Sequence, residues 1–319
     1  MKRVLIIGGT GAMGARVARR LADRPGTEVS VLTRDPGSER ATAVQSDKRV
    51  RLLRGDLNDP AGLRAAMSGV DEVFCNTDFF STLSPASEYE QGLQALNAAQ
   101  KVGVGKFVWS SLDNAATLTD GRIPVPHYDA KAAVEAHIGL RRSEEMMRQE
   151  IDGWYTRNVA VLVTAPYYEN FQAGLAPTAG ELPDGRDGVT FNIPLGSSSY
   201  PLVALDDIAW FGEHVLERWD RWAGRTLRIV GDSPTGLEIA ATFERVTGIA
   251  SAYEDLPLQA LQDMVPGVGH DLAAMFAFFQ DFDVAGRARD VHALREIYPD
   301  LMTFEGWLLA TGWTGAAAT

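Results

Sequence analysis

Residues 4–14 constrain the fold more than any other stretch of the chain. Val4-Leu5-Ile6-Ile7 is an apolar run with β-branched members, the composition of a strand buried in a parallel sheet. It breaks directly into Gly8-Gly9-Thr10-Gly11-Ala12-Met13-Gly14. Glycines at 8, 11 and 14 supply a tight bend, a close backbone approach to a ligand, and close packing of the next helix on the strand. A helix over roughly Ala12–Asp23 would aim its first N–H groups, and the positive end of its dipole, at an anion. Strand, glycine turn and amphipathic helix together predict a dinucleotide site at Gly8, Thr10, Gly11, Ala12, Met13 and Gly14.

Strands and helices alternate through the first half, the order of a doubly wound parallel sheet. Further strands are expected at Glu28–Thr33, Val50–Leu53, Val70–Asn76, Lys106–Ser111 and Val159–Thr164. Helices are expected at Asp59–Met67, Ser87–Val102 and Asp129 to about Ile138. Gly139–Asn158 is charged and carries methionines, and Ser143-Glu144-Glu145 has the pattern of a new helix start. It reads as a helical extension ahead of the sixth strand. Gly174–Gly196, rich in Gly and Pro, suits loops and a short hairpin around Val189–Ile193. Leu202–Trp210 and Thr226–Val230 suit further strand-to-helix elements. From Thr235 the chain is expected to be mainly helical, closing in a frayed tail over 315–319.

The expected fold class is α/β, a doubly wound parallel Rossmann sheet with a smaller, mainly helical C-terminal substrate lobe. Its dinucleotide-binding core would span 1–164. Residues 165–319 would contribute late strands and a lobe covering the substrate.

A net charge of −12 repels nucleic-acid phosphates, so no direct nucleic-acid partner is expected. Arg16-Arg19-Arg20 and Arg141-Arg142 read as solvated helix faces. The lone Cys75 excludes an internal disulfide and fits a reducing, cytoplasmic compartment. No leader is expected, and no apolar run approaches the about 20 residues of a membrane span. His214 and His270 lack ligand spacing, so no metal is expected.

The second strand ends Val31-Leu32-Thr33-Arg34, putting Arg34 where an NAD-binding fold holds a carboxylate on the ribose 2′-hydroxyl. A guanidinium matches a 2′-phosphate instead, with Thr33 and Arg40 beside it. The expected cofactor is therefore NADP(H). Asp56 can accept from the adenine amino group, with Leu57 main chain framing the base, while Asp59 competes to cap the next helix. Thr77 and Asp78 end the fourth strand, at the carboxyl edge where parallel sheets place ligands, and suit the ribose or nicotinamide.

Several further motifs keep company with the glycine turn: TRD at 33–35, GDLND at 55–59, WSSLDN at 109–114, HYDAKAAVEAHI at 127–138, PYYENF at 166–171 and ALDDIA at 204–209. In order and spacing the chain resembles the NmrA-like group of atypical short-chain dehydrogenases. The resemblance spans about two-thirds of the sequence and implies an NADP(H)-binding fold with a helical C-terminal lobe. Some members of that family are NADPH-dependent reductases of quinones, dyes, aromatic ethers or ketones; others are nucleotide-state sensors that bind partner proteins.

Standard short-chain dehydrogenases place a Tyr four residues before a Lys and a Ser at the end of the fifth strand. Here Lys131 is present, the residue four before it is His127, and Tyr128 stands three before it. Spacings of three and four share a helix face, so both remain candidate proton donors. His127 suits proton transfer near neutral pH, and a helix-start packing role stands equally open. The resemblance assigns Lys131 to the cofactor ribose and one of Ser110 and Ser111 to the nicotinamide. It also runs the turn at Tyr167, Tyr168 and Asn170 along nicotinamide and substrate. Phe79, Phe80, Trp109 and the Met275-Phe276-Phe278-Phe279 stripe suit either the same pocket or plain core.

The resulting expectation is an NADPH-dependent reductase of a small apolar or aromatic carbonyl, quinone or unsaturated compound, with His127, Lys131, Ser111 and Tyr128 as catalytic candidates. Its partner is a small-molecule substrate, no membrane is involved, and a homo-oligomer is compatible with the sequence. The alternative is a non-catalytic NADP(H) redox sensor acting through protein partners.

Overall fold

The structure, a computed structural model, describes residues 1–47 and 49–316. In chain order it begins β1 Lys2–Ile7, α1 Ala12–Ala22, β2 Thr27–Thr33, α2 Glu39–Gln45, β3 Val50–Arg54, α3 Pro60–Met67, β4 Glu72–Cys75, α4 Pro85–Val102 and β5 Lys106–Ser111. Next come α5 Ala115–Leu118, α6 Pro126–Met147, α7 Trp154–Asn158, β6 Val159–Val163, β7 Thr178–Glu181, β8 Asp187–Ile193, α8 Leu205–Glu217, α9 Trp219–Trp222 and β9 Thr226–Arg228. The remainder is α10 Gly236–Thr247, β10 Ser251–Asp255, α11 Leu258–Met264, α12 Gly269–Asp281, α13 Val284–Ala288, α14 Val291–Ile297 and α15 Phe304–Thr311. The chain divides into two units: residues 1–114, 126–163 and 208–227, and residues 115–125, 164–207 and 228 onward.

The first unit is built on a seven-stranded sheet of order β3-β2-β1-β4-β5-β6-β9. Strands β1 to β6 pair in parallel, with Ile7 opposite Leu32 on one side and Cys75 on the other. Connections therefore leave β1 in opposite directions, which opens a crevice at the carboxyl ends of β1 and β4. Both faces of the inner strands are buried. Leu5, Ile7, Val73, Cys75, Phe107, Trp109 and Val161 form one core with Leu96, Ala99, Val134 and Ile138 of α4 and α6. Helix starts follow local chemistry: Asp59 accepts from the Ala61 amide ahead of α3, and Ser84 accepts from the Ser87 amide ahead of α4.

The extension differs from expectation in two ways. No helix starts at Ser143, because α6 runs unbroken from Pro126 to Met147. Buried Glu145 instead accepts from the Tyr155 and Thr156 amides at 2.7 and 2.9 Å, capping α7 from outside. Nor is Arg142 on a solvated face: it is half-buried and donates to the Tyr155 and Val159 carbonyls.

The second unit carries a three-stranded sheet, β10-β8-β7, in which β7 and β8 form the expected antiparallel hairpin. Strand β10, parallel to β8, interrupts a region read as mainly helical. Around Leu202 the expected strand is reduced to isolated bridges, Leu202 with Asp232 and Tyr167 with Val203. Strand four is shorter than expected, and β9 stops at Arg228. Aromatic packing fills the unit: Phe171 meets Phe191, Tyr200, Phe304 and Trp313 at centroid distances of 5.4 to 6.4 Å. The Met and Phe stripe of α12 is core, with Phe276 and Phe279 packed on Tyr200. Of the tail read as frayed, residues 317–319 lie outside the described residues.

Candidate functional site

A cleft of about 290 Å³ lies at the carboxyl ends of the first unit's strands. The glycine turn after β1 shapes one wall. Gly8 has φ +77°, and a Cβ there would stand 2.0 Å from the Asn76 carbonyl oxygen. At Gly14 a Cβ would meet the Gly8 carbonyl at 2.3 Å, so α1 packs against its own turn only without a side chain. At Gly11 a Cβ would make only an ordinary contact, with the Gly8 oxygen at 3.4 Å. Gly11 is also the N-cap of α1 and brings no side-chain cap to the helix. An open, side-chain-free helix start is what a pyrophosphate fits.

Of the residues expected to bind cofactor, the cleft gathers Gly8, Thr10, Thr33, Arg34, Asp56, Leu57, Thr77 and Asp78. Arg34 is exposed and makes no ion pair among the described residues. Its neighbour Asp35, which also lines the cleft, accepts from the Gly37 amide at 3.0 Å. Asp56 accepts from the Asn58 amide at 2.9 Å, while the α3 cap falls to Asp59. The sequence reading missed Asn76, Ser38, Ser81 and Gln91, which line the same cleft.

Other candidates of the first unit are not among the residues lining the cleft. Ser110 and Ser111 are buried; the Ser110 hydroxyl meets Met13 Sδ at 3.5 Å, and the Ser111 hydroxyl donates to the Lys131 carbonyl at 3.4 Å. Lys131 Nζ donates to the Thr77 carbonyl at 2.8 Å and lies 2.7 Å from Glu88 Oε1. His127 is buried among rings, 4.8 Å from Tyr128, 6.0 Å from Phe79 and 5.4 Å from the half-exposed Phe80. Trp109 is core, its Nε1 donating to the Lys131 carbonyl. Burial pushes the Cys75 thiol up, fitting a packing role.

Tyr167 and Asn170 belong to the second unit. There Tyr168 is fully buried on Phe304 and Trp307 and donates to the Met302 carbonyl, a core position. Glu169 accepts from the Leu205 amide at the start of α8.

The NmrA-like family model matches residues 1–308. The chain belongs to the NmrA-like family. Among its relatives is the NmrA-like oxidoreductase lnaB of Aspergillus flavus, 26% identical over 88% of this chain and 84% of that one. Another, hkm9 of Aspergillus hancockii, is 27% identical over 79% and 75%. In fold the chain is similar to NmrA, a negative transcriptional regulator solved with NADP (TM-score 0.75, 17% identity, 96% and 94% covered). It is similar also to an NADPH-dependent quinone oxidoreductase of Escherichia coli (TM-score 0.70, 19% identity, 97% and 100% covered). The fold is α/β with a doubly wound parallel sheet and a mainly helical C-terminal portion. No described helix is long and apolar enough to cross a membrane.

Proposed function

We propose that this family member is an NADP(H)-dependent oxidoreductase that reduces a small apolar or aromatic carbonyl, quinone or unsaturated compound. The observation that carries the reading is Arg34, exposed on the cleft at the end of β2 and without an ion pair among the described residues. A guanidinium there pairs with a 2′-phosphate through charge-assisted hydrogen bonds. The first turn of α1, opened by Gly11, holds the pyrophosphate, and Asp56 with Leu57 frames the adenine. Asn76, Thr77 and Asp78 border the ribose and nicotinamide. The names of the Aspergillus relatives and of the Escherichia coli reductase support the oxidoreductase class.

When bound, the reduced nicotinamide supplies a hydride. The chain's own part is to orient, exclude water and deliver a proton. His127 is the proposed proton donor, with Tyr128 second; the surrounding Phe79 and Phe80 rings keep water from the imidazole. Ser110, Ser111 and Lys131 hold the strand ends on which that geometry depends.

The test is purified protein with NADPH against a panel of quinones, ketones and enones, followed by nicotinamide absorbance. Oxidation of NADPH with any panel member supports the reading; tight binding without turnover replaces it with the cofactor-sensing one. That second reading is favoured by His127 standing where the usual tyrosine would be.

A further inference from the structure

Behind the cleft wall lies a closed polar cluster in which Glu88 is a member that no cofactor motif accounts for. Glu88, in the first turn of α4, is fully buried. Its Oε1 accepts from the Thr77 hydroxyl at 2.6 Å and lies 2.7 Å from Lys131 Nζ. Its Oε2 is buried with no hydrogen-bond partner among the described residues, so the carboxylate is held through Oε1 alone. The ammonium donates to the Thr77 carbonyl at 2.8 Å and reaches Asn76 Oδ1 at 3.3 Å and Thr77 Oγ1 at 3.1 Å. Beneath it the Trp109 ring centroid is 5.6 Å away.

A lysine has three N–H donors, and here protein acceptors surround them all. Lys131 can serve a ribose hydroxyl only by releasing one of these acceptors. What it does as built is fix the end of β4: Asn76 and Thr77 line the cleft, while Lys131 and Glu88 stand behind them. A buried pair of this kind is weak evidence for stability alone, since apolar residues of similar volume do as well or better. Its place against two cleft residues gives it a different role.

We infer that Glu88 is a positioning residue for the cofactor. It holds Lys131 in place, and Lys131, donating to the Asn76 carboxamide and the Thr77 carbonyl, in turn fixes two residues that line the cleft. The inference rests on reading the cleft as an NADP(H) site. Because the strand end is common to both cofactors, Glu88 acts equally on NADPH and NADH, whereas Arg34 acts on their ratio.

The experiment is titration of both cofactors, followed by nicotinamide fluorescence, together with melting curves. The proteins are wild type, Glu88→Gln, and the double variant Glu88→Gln/Lys131→Met. Glutamine keeps an acceptor for the Thr77 hydroxyl but removes the charge that holds the ammonium. Both cofactors are expected to bind Glu88→Gln about tenfold more weakly, by the same factor. The double variant, with no buried charge left uncompensated, recovers melting temperature but not affinity, and tests the Glu88–Lys131 pair as a unit if the single variant does not fold. Wild-type affinity in a folded variant, or weakening of one cofactor only, overturns the inference and leaves the cleft reading standing. Wild-type protein that binds neither cofactor overturns both.

Discussion

The two units place their chemistry in different parts of the chain. In the first, the backbone and short polar side chains at strand ends form the cleft, and Gly8 and Gly14 of its turn are fixed by what a Cβ would strike. In the second, large rings buried against one another make the core: Phe171, Tyr200, Phe276, Phe304, Trp307 and Trp313. A cleft made of backbone tolerates almost no change of main-chain path, while an aromatic core loses stability in proportion to the ring removed. Substitutions in the two regions should therefore fail differently.

The largest stability loss is expected in the second unit. Phe171→Ala removes a fully buried ring with four aromatic neighbours and should cost about 3–5 kcal/mol in denaturant unfolding. The protein that remains folded should keep its NADPH affinity; parallel loss of affinity would break the contrast. Gly8→Ala in the first unit should cost less stability, about 2–3 kcal/mol, yet abolish cofactor binding in calorimetric titration. Its φ of +77° and the Asn76 oxygen 2.0 Å from the new Cβ force the turn to move. Retained binding would mean that the turn does not hold the pyrophosphate.

The smallest effect is a pH slope from the second unit. Burial, with the charges of Asp206 and Glu169 added, pushes the Asp207 carboxyl up to about 7 from 3.8, against the Met302 amide that lowers it. The folded chain then keeps a proton that the unfolded chain has released between those values. The stability tied to that proton is full below about 3.8 and is lost as pH rises through about 7. Asp207→Asn cannot ionise and still offers Met302 an acceptor, so its melting temperature relative to wild type should be higher at pH 8 than at pH 5. His137 and His214, which burial holds below their ordinary value, act with the opposite sign in both proteins and cancel from the difference. An equal difference at both pH values would remove Asp207 from the account.

The same contrast explains what the sequence made legible. The β1 turn and the positions of Arg34, Asp56 and Thr77 were readable because local spacing dictates them: a glycine pattern and the last residues of strands. The Lys131 partner was not. Glu88 looks like an ordinary acidic residue in a helix's first turn, and only the packing of α4 on α6 brings it to the lysine. Ser143 carried a helix-start pattern that continuous α6 overrode, because Arg142 and Glu145 found their partners across the extension. Strand β10, Ser-Ala-Tyr-Glu-Asp, has too little apolar alternation to announce itself, and its parallel pairing with β8 is what makes it a strand.

The most direct test compares dissociation constants for NADPH and NADH in wild type and Arg34→Ala. The account predicts tighter NADPH binding by wild type. In the variant, NADPH should weaken roughly 10- to 100-fold while NADH is unchanged. Equal weakening of both cofactors, or no preference in wild type, would contradict the assignment of this cleft to NADP(H).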